Sequence, residues 1–526
     1  MTTLVLPAAR RVAAAVSPER IGLALLLALG AAVIWLPHRP PIIDLPQHAA
    51  QIALLRDLAM GRSPWASEVR VNLFTPYLLG YGLAFPLSMV MPVAAAIKVV
   101  LTVAYAAFGA VCIGIRRELG AARELDAYYF VSFFGFAYSW GFYTFLVSAP
   151  VGLAFIWLAI RYARQGGAIR GLWLAVLGVV LLFCHGLVFL FAAAVGLGVL
   201  RETAKGLRDA IARSWPFAIP LMMCAVLFVV TAGRETPTNS ASTSMFYLDM
   251  GTFPERLIDF LWGSFESQGD LRWLPILVVF AALPFCGGLR FDVRRVESLV
   301  IAVGVLAVML LVPSYAWLTA FLFQRFALFL LPAYAWLFSP APSPRPGVAR
   351  LIAPYVSVIA LAAASFSLLA HLAQAASFSR EARDFDAVEA HAAPNQRALS
   401  VMRDPRSAAN DNPLAYLNFP QWYQAEKRGF VDPSFAQSHT VVVTFRGLMA
   451  PVYTDNVFMR TEGMVGTLDW RRDQLWRYRY FFVRSTTPLP KAFFVGVDCP
   501  PVSVATSGPW ELLERRPCID HRLLGS

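Results

Sequence analysis

The sequence predicts a polytopic α-helical membrane protein with about eleven spans, N-terminus in and C-terminus out, followed by a C-terminal mixed α/β domain on the outer side. Three observations carry that prediction. Hydrophobic residues make up 58% of the 526 and charged residues 15%, a balance too apolar for a water-soluble chain of this length. Apolar runs close to the length a bilayer core needs recur along the first 373 residues, and Lys and Arg cluster between them. From Gln374 onward the composition turns to that of a soluble domain, large enough to bury its own core. The net charge of +12 is spread over those short clusters, which excludes a nucleic-acid binding stripe.

The elements follow in order. The first span, 21–37, has Arg10, Arg11 and Arg20 ahead of it and no small-x-small cleavage site after it, so it reads as an uncleaved helix. An external segment follows, with a short helix at 46–60 opened by proline. Its apolar face (Ala50, Ile52, Leu54, Leu55, Leu58) and polar face (His48, Gln51, Arg56, Asp57) suit a helix lying along the interface. Counting 72–91 as a span would put Arg116, Arg117 and Arg123 outside, so 74–91 is read as interfacial or re-entrant. The first external loop is then 38–92, and the second span, 93–115, carries Lys98 near its outer end.

Spans three and four share 127–160, turning near Ser139-Trp140-Gly141, and five and six share 172–200, turning near Cys184-His185-Gly186. Span seven, 215–230, leads to a second external loop, 231–272. Spans eight and nine occupy 273–289 and 299–312, span ten lies around 321–328, and span eleven is 351–369. The membrane domain is therefore 1–373 and the outer domain 374–526. Strand-like runs in the latter are 398–402, 440–445, 478–483, 493–497 and 510–514. Four of the six cysteines lie in apolar runs, while Cys499 and Cys518 lie in the polar region, where an oxidising compartment lets them pair.

Two charged residues stand out. Asp44, in Pro40-Pro41-Ile42-Ile43-Asp44-Leu45-Pro46-Gln47-His48, leaves the first span within a turn or two of the interface, with His48 four residues on. An acid there is placed to take a proton from a hydroxyl arriving from water. Its bland alternative is the N-cap of the helix that follows. Arg325 sits within an apolar helix, an expensive placement that marks a bundle-facing or interface-facing function.

Taken together, Asp44 to Ala49 in the first external loop, the paired interfacial helices, the Lys98 region, Arg325 ahead of Leu330-Leu331-Pro332 and the outer α/β domain resemble the GT-C superfamily of membrane glycosyltransferases. That superfamily includes the protein O-mannosyltransferases and aminoarabinose transferases. The resemblance implies transfer of a sugar from a polyprenyl-phosphate-linked donor to a glycan, lipid or protein acceptor, with inversion and with Asp44 as base. It implies His48, Lys98 and Arg325 as substrate-binding residues, a bacterial inner membrane location and a periplasmic outer domain. No soluble cofactor is implied. Lys98 stands where related proteins tend to carry arginine, and Asp44 has no second acid beside it, which argues against a divalent metal. Asp249, Glu255 and Asp259 in the second loop are the acids available as partners, and Trp422, Tyr423, Arg428 and Tyr453 are the outer-domain groups that suit a sugar. Two other functions stay open: a lipid-linked glycan transporter or flippase, and a non-catalytic scaffold of envelope glycan assembly.

Overall fold

A computed structural model describes residues 18–232, 248–265, 271–316, 319–340, 347–438, 440–446, 467–497 and 499–516. Five helical stretches are long and apolar enough to cross a membrane: Pro18–Trp35 (α1), Val93–Leu119, Tyr143–Gln165, Gly186–Thr203 and Val348–Glu389. A bent pair, Leu207–Arg213 and Trp215–Val230, makes six if taken as one span. Shorter apolar helices include Leu78–Ser88, Ala168–Cys184 and Val296–Leu311. Two of the long helices stop at a glycine with positive φ. Val93–Leu119 ends on Gly120 with φ +65, and Tyr143–Gln165 ends on Gly166 with φ +63, a left-handed turn that a side chain would strain.

One end of the helix bundle is knit by the arginine clusters. Glu118, at the end of Val93–Leu119, accepts from Arg161 at 2.8 Å and pairs with Arg164 at 3.2 Å, and Arg164 reaches Glu297 at 2.7 Å. These residues bring the ends of three apolar helices to the same level. Lys98 and the end of α1 lie at the opposite end of the Val93–Leu119 helix from Glu118.

The outer domain is built on a five-stranded sheet ordered Val502–Ser507, Trp510–Glu514, Tyr480–Arg484, Arg397–Met402, Phe430–Asp432. Tyr480–Arg484 runs parallel to Arg397–Met402 and antiparallel to Trp510–Glu514. Both central strands are buried along their whole length, as expected where both faces are covered. The sheet is thus of mixed type, with one antiparallel hairpin beside parallel pairs. Two strands, Phe430–Asp432 and Val502–Ser507, carry too weak an alternation to be read from the sequence.

Three expectations are corrected. The helix Leu45–Ala59 (α2) is not laid along an interface with its polar face in water: Gln47, His48, Gln51 and Asp57 are all buried. The outer-domain helix Gln421–Lys427 packs across it, and the strand Val443–Phe445 pairs with Val69–Val71 of the first external loop rather than with its own sheet. Residues 127–140 do not form a span, because a few short helical turns break at Gly135, where an added Cβ would lie 2.1 Å from the Gly263 carbonyl oxygen. Nor does Arg325 sit in a continuous helix. A short antiparallel pair, Tyr315–Ala316 with Thr319–Ala320, precedes a buried 3-10 segment, Gln324–Phe329, and the chain turns through Phe321 with φ +56. The helix Val356–Glu381 runs without a break through residue 374, carrying the last apolar helix directly into the outer domain.

Candidate functional site

The loop after α1 is fixed before it reaches Asp44. Lys98 Nζ donates to the Pro37 carbonyl at 2.6 Å and the Trp35 carbonyl at 3.4 Å, closing the end of α1. Arg39 then enters the outer domain and pairs with Asp386, Glu389 and Glu426. The chain next lies against the turn at Ser139-Trp140-Gly141: Ile43 N–H donates to the Ser139 carbonyl at 3.3 Å and Asp44 N–H to the Trp140 carbonyl at 2.9 Å. Gly141 makes this approach possible. Its φ is +97, and a Cβ there would lie 2.8 Å from the Asp44 nitrogen and 2.7 Å from the Ile42 side chain.

Asp44 occupies the N-cap position of α2, yet its side chain caps nothing. The carboxylate instead accepts from Asn418 Nδ2 at 2.8 Å and from the Trp140 indole. Water reaches the half-buried residue, but the protein around it is dense, and burial pushes its pKa up to about 7 against the opposing pull of Arg325 and the two donors. Arg325 is buried, and desolvation brings its guanidinium down to about 10, so it stays charged. It donates from Nε to the Phe321 carbonyl at 3.0 Å and from Nη2 to the Ala320 carbonyl at 2.7 Å, with its carbon 3.9 Å from the centre of the Phe142 ring. Among the described residues it has no carboxylate at ion-pair distance, although it lies within electrostatic reach of Asp44 and Tyr77. A carboxylate poised near neutrality can accept a proton, and a buried cation within its electrostatic reach can stabilise a developing negative charge.

Of the other residues predicted for the site, His48 is brought close but as a neutral brace. Desolvation lowers its pKa to about 3, Nδ1 meets the Tyr81 hydroxyl at 2.7 Å, and the ring donates to the Gly141 carbonyl. It therefore supports the turn that seats Asp44. Lys98 is engaged at the end of α1, as above. In the second loop, Glu255 completes a capping box with Thr252, Asp249 accepts from Gly251 N–H, and Asp259 accepts from Gln324 Nε2 at 3.2 Å. Among the described residues no group of three or more His, Cys, Asp or Glu side chains gathers as metal ligands. Cys499 is disulfide-bonded, and Cys518 lies outside the described residues. Trp422 and Tyr423 are fully buried in the outer-domain core, Arg428 lines a small recess with Leu54 and Trp65, and Tyr453 lies outside the described residues.

Sequence reasoning missed Asn418, Gln47, Gly141 and His185. Asn418 and Gln421 stand in an aromatic run, where buried amides signal a partner, but nothing in the run names that partner. His185 breaks the hairpin between two apolar helices and is buried against Tyr77, with ring centres 5.0 Å apart.

No family model matches the chain, and no curated protein matches it. Among solved structures, it is similar to the single-particle cryo-EM structure of arabinofuranosyltransferase AftD from Mycobacteria, with 15% identity and a TM-score of 0.48, over 94% of this chain and 40% of that one. The chain thus spans less than half the length of that protein, and a likeness this loose carries no conclusion about activity.

Proposed function

We propose that the protein is a GT-C-type glycosyltransferase of the bacterial inner membrane. In this reading it moves a sugar from a polyprenyl-phosphate-linked donor to a glycan, lipid or protein acceptor on the periplasmic face. One observation carries the reading: the Asp44 carboxylate is turned away from the helix it could cap and is held by donors in a half-buried recess near Arg325. An acid kept only to start α2 would bond to α2.

The chemistry follows from those placements. The acceptor hydroxyl gives its proton to Asp44 as its oxygen attacks the anomeric carbon, and the bond from that carbon to the phosphate oxygen breaks with inversion. The phosphate leaves with the electron pair, and Arg325 stabilises its charge through the Nη1 group that its backbone contacts leave over.

The test compares lipid-linked sugars and envelope glycans by mass spectrometry in cells with the wild-type protein, with none, and with Asp44→Asn at equal abundance. Loss of one sugar in both mutants, with its lipid-linked donor accumulating, is the expected result. A null strain that changes while Asp44→Asn matches wild type would remove the base assignment and leave a carrier or scaffold.

A further inference from the structure

Asp44 takes a hydrogen bond from a residue 374 positions away. Asn418 lies in the outer-domain loop leading to the helix Gln421–Lys427, and a side-chain amide there can turn either its oxygen or its nitrogen toward Asp44. The direction is decided by Gln47. Its Oε1 accepts from the Phe435 backbone N–H at 3.0 Å, and its Nε2 donates to the Pro433 carbonyl at 2.9 Å, so the polarity of a fixed backbone sets the Gln47 amide. Gln47 Nε2 also donates to Asn418 Oδ1 at 3.2 Å, which leaves Asn418 Nδ2 facing Asp44. Both amides are nearly inaccessible, Gln47 at 1% and Asn418 at 3% exposed, so water does not compete for these bonds. The loop that carries Asn418 is held down in turn: Leu414 and Leu417 pack on Ile43 and Trp140.

We infer that Asn418 is a positioning residue for Asp44, oriented by Gln47, and that the reaction centre is complete only when the outer domain is seated on α2. The inference rests on the reading of Asp44 as base. It makes the outer domain part of the chemistry rather than an appended binding module. An N–H held on one carboxylate oxygen fixes the plane of the carboxylate and favours its ionised form. The charged and titratable groups facing Asp44 from the other packed elements are Arg325 in the 3-10 segment and Tyr81 on the Leu78–Ser88 helix; Trp140 adds a neutral donor.

The experiment uses full-length protein in lipid nanodiscs, wild type and the variants Asp44→Asn, Asn418→Ala and Asn418→Asp. Infrared titration follows the protonated-carboxyl band that is absent in Asp44→Asn, a readout that needs no substrate. Asn418→Ala is expected to raise the midpoint of that band by about one pH unit, and Asn418→Asp, which sets an acid against an acid, by more. With the donor and acceptor identified from the glycan comparison, transfer by Asn418→Ala should fall about tenfold on the acid side and recover as pH rises. A midpoint unmoved in Asn418→Ala, or a loss of transfer equal at every pH, would overturn the inference alone. Transfer that survives Asp44→Asn would overturn the base assignment, and the inference with it.

Discussion

At the scale of the residue, burying the Asp44 carboxylate costs the fold. Its carboxyl has a higher proton affinity in the folded protein than in an unfolded chain, so burying it is cheapest when it is protonated. The sign follows: stability is favoured at low pH and is lost as pH rises from the ordinary aspartate range, near 4, through about 7. Asp44→Asn removes the titration. In detergent its apparent melting temperature should match wild type near pH 4 and exceed it at pH 8, a difference on the order of 2 kcal/mol once the water that reaches the half-buried site is allowed for. Equal melting at pH 8 would show that the carboxylate is fully compensated. Gly141 makes the complementary case. At φ +97, with 2.8 Å to the Asp44 nitrogen, Gly141→Ala should cost about 2 kcal/mol or more and reduce transfer at least as far as Asn418→Ala does. Sequence reasoning singles out Asp44 because an acid beside the end of an apolar helix has few structural uses. It could not find Gly141, whose requirement comes from a strand of loop 97 positions earlier in the chain.

At the scale of the element, α2 is the keel on which the outer domain is seated. Gln47 and Gln51 bond to backbone beyond residue 430, with Val443 N–H reaching Gln51 Oε1 at 2.9 Å. Arg39 is the second fastening. Its buried guanidinium holds acids from two outer-domain helices, Arg383–Glu389 and Gln421–Lys427, and lies over the Phe385, Phe419 and Trp422 rings. Removing one partner of a buried ionic cluster costs more than the cluster contributes, because the remaining charges lose their compensation. Arg39→Met should therefore destabilise the docking by on the order of 3 kcal/mol. Hydrogen exchange should rise in Gln421–Lys427 and in α2 while the Tyr143–Gln165 helix stays protected. Unchanged exchange at those two helices would mean that the apolar contacts suffice. The amphipathic pattern of α2 was legible, but periodicity reports only that a polar face exists and not whether water or protein covers it.

At the scale of the whole molecule, helix length sets what spans. The Leu78–Ser88 helix has 11 residues, a rise of about 16 Å against a hydrocarbon core of about 30 Å. We propose that it enters and leaves on one side, the arrangement that keeps Arg116 and Arg117 on the cytoplasmic face. Leu73 and Val90 flank it and are 67% and 80% exposed, so cysteines placed there should react with an impermeant maleimide from the same side of the membrane. Labelling from opposite sides would make this segment a span and invert the sidedness of the helices after it.

By itself the sequence determined that the chain is a helical membrane protein: apolar length and arginine clusters are local properties, and the bilayer reads them without tertiary context. It also singled out Asp44 and Arg325, since a charge in an apolar setting is costly wherever it ends up. Tertiary structure alone decided that these two come together, that 127–140 and 321–329 fold as buried turns, and that Asn418 and Gln47 complete the seat of Asp44. Those outcomes rest on single hydrogen bonds and close backbone approaches between segments far apart in the chain, 374 residues for Asn418 and Asp44. Such contacts impose no period and no composition on the chain, so no stretch of it carries their trace.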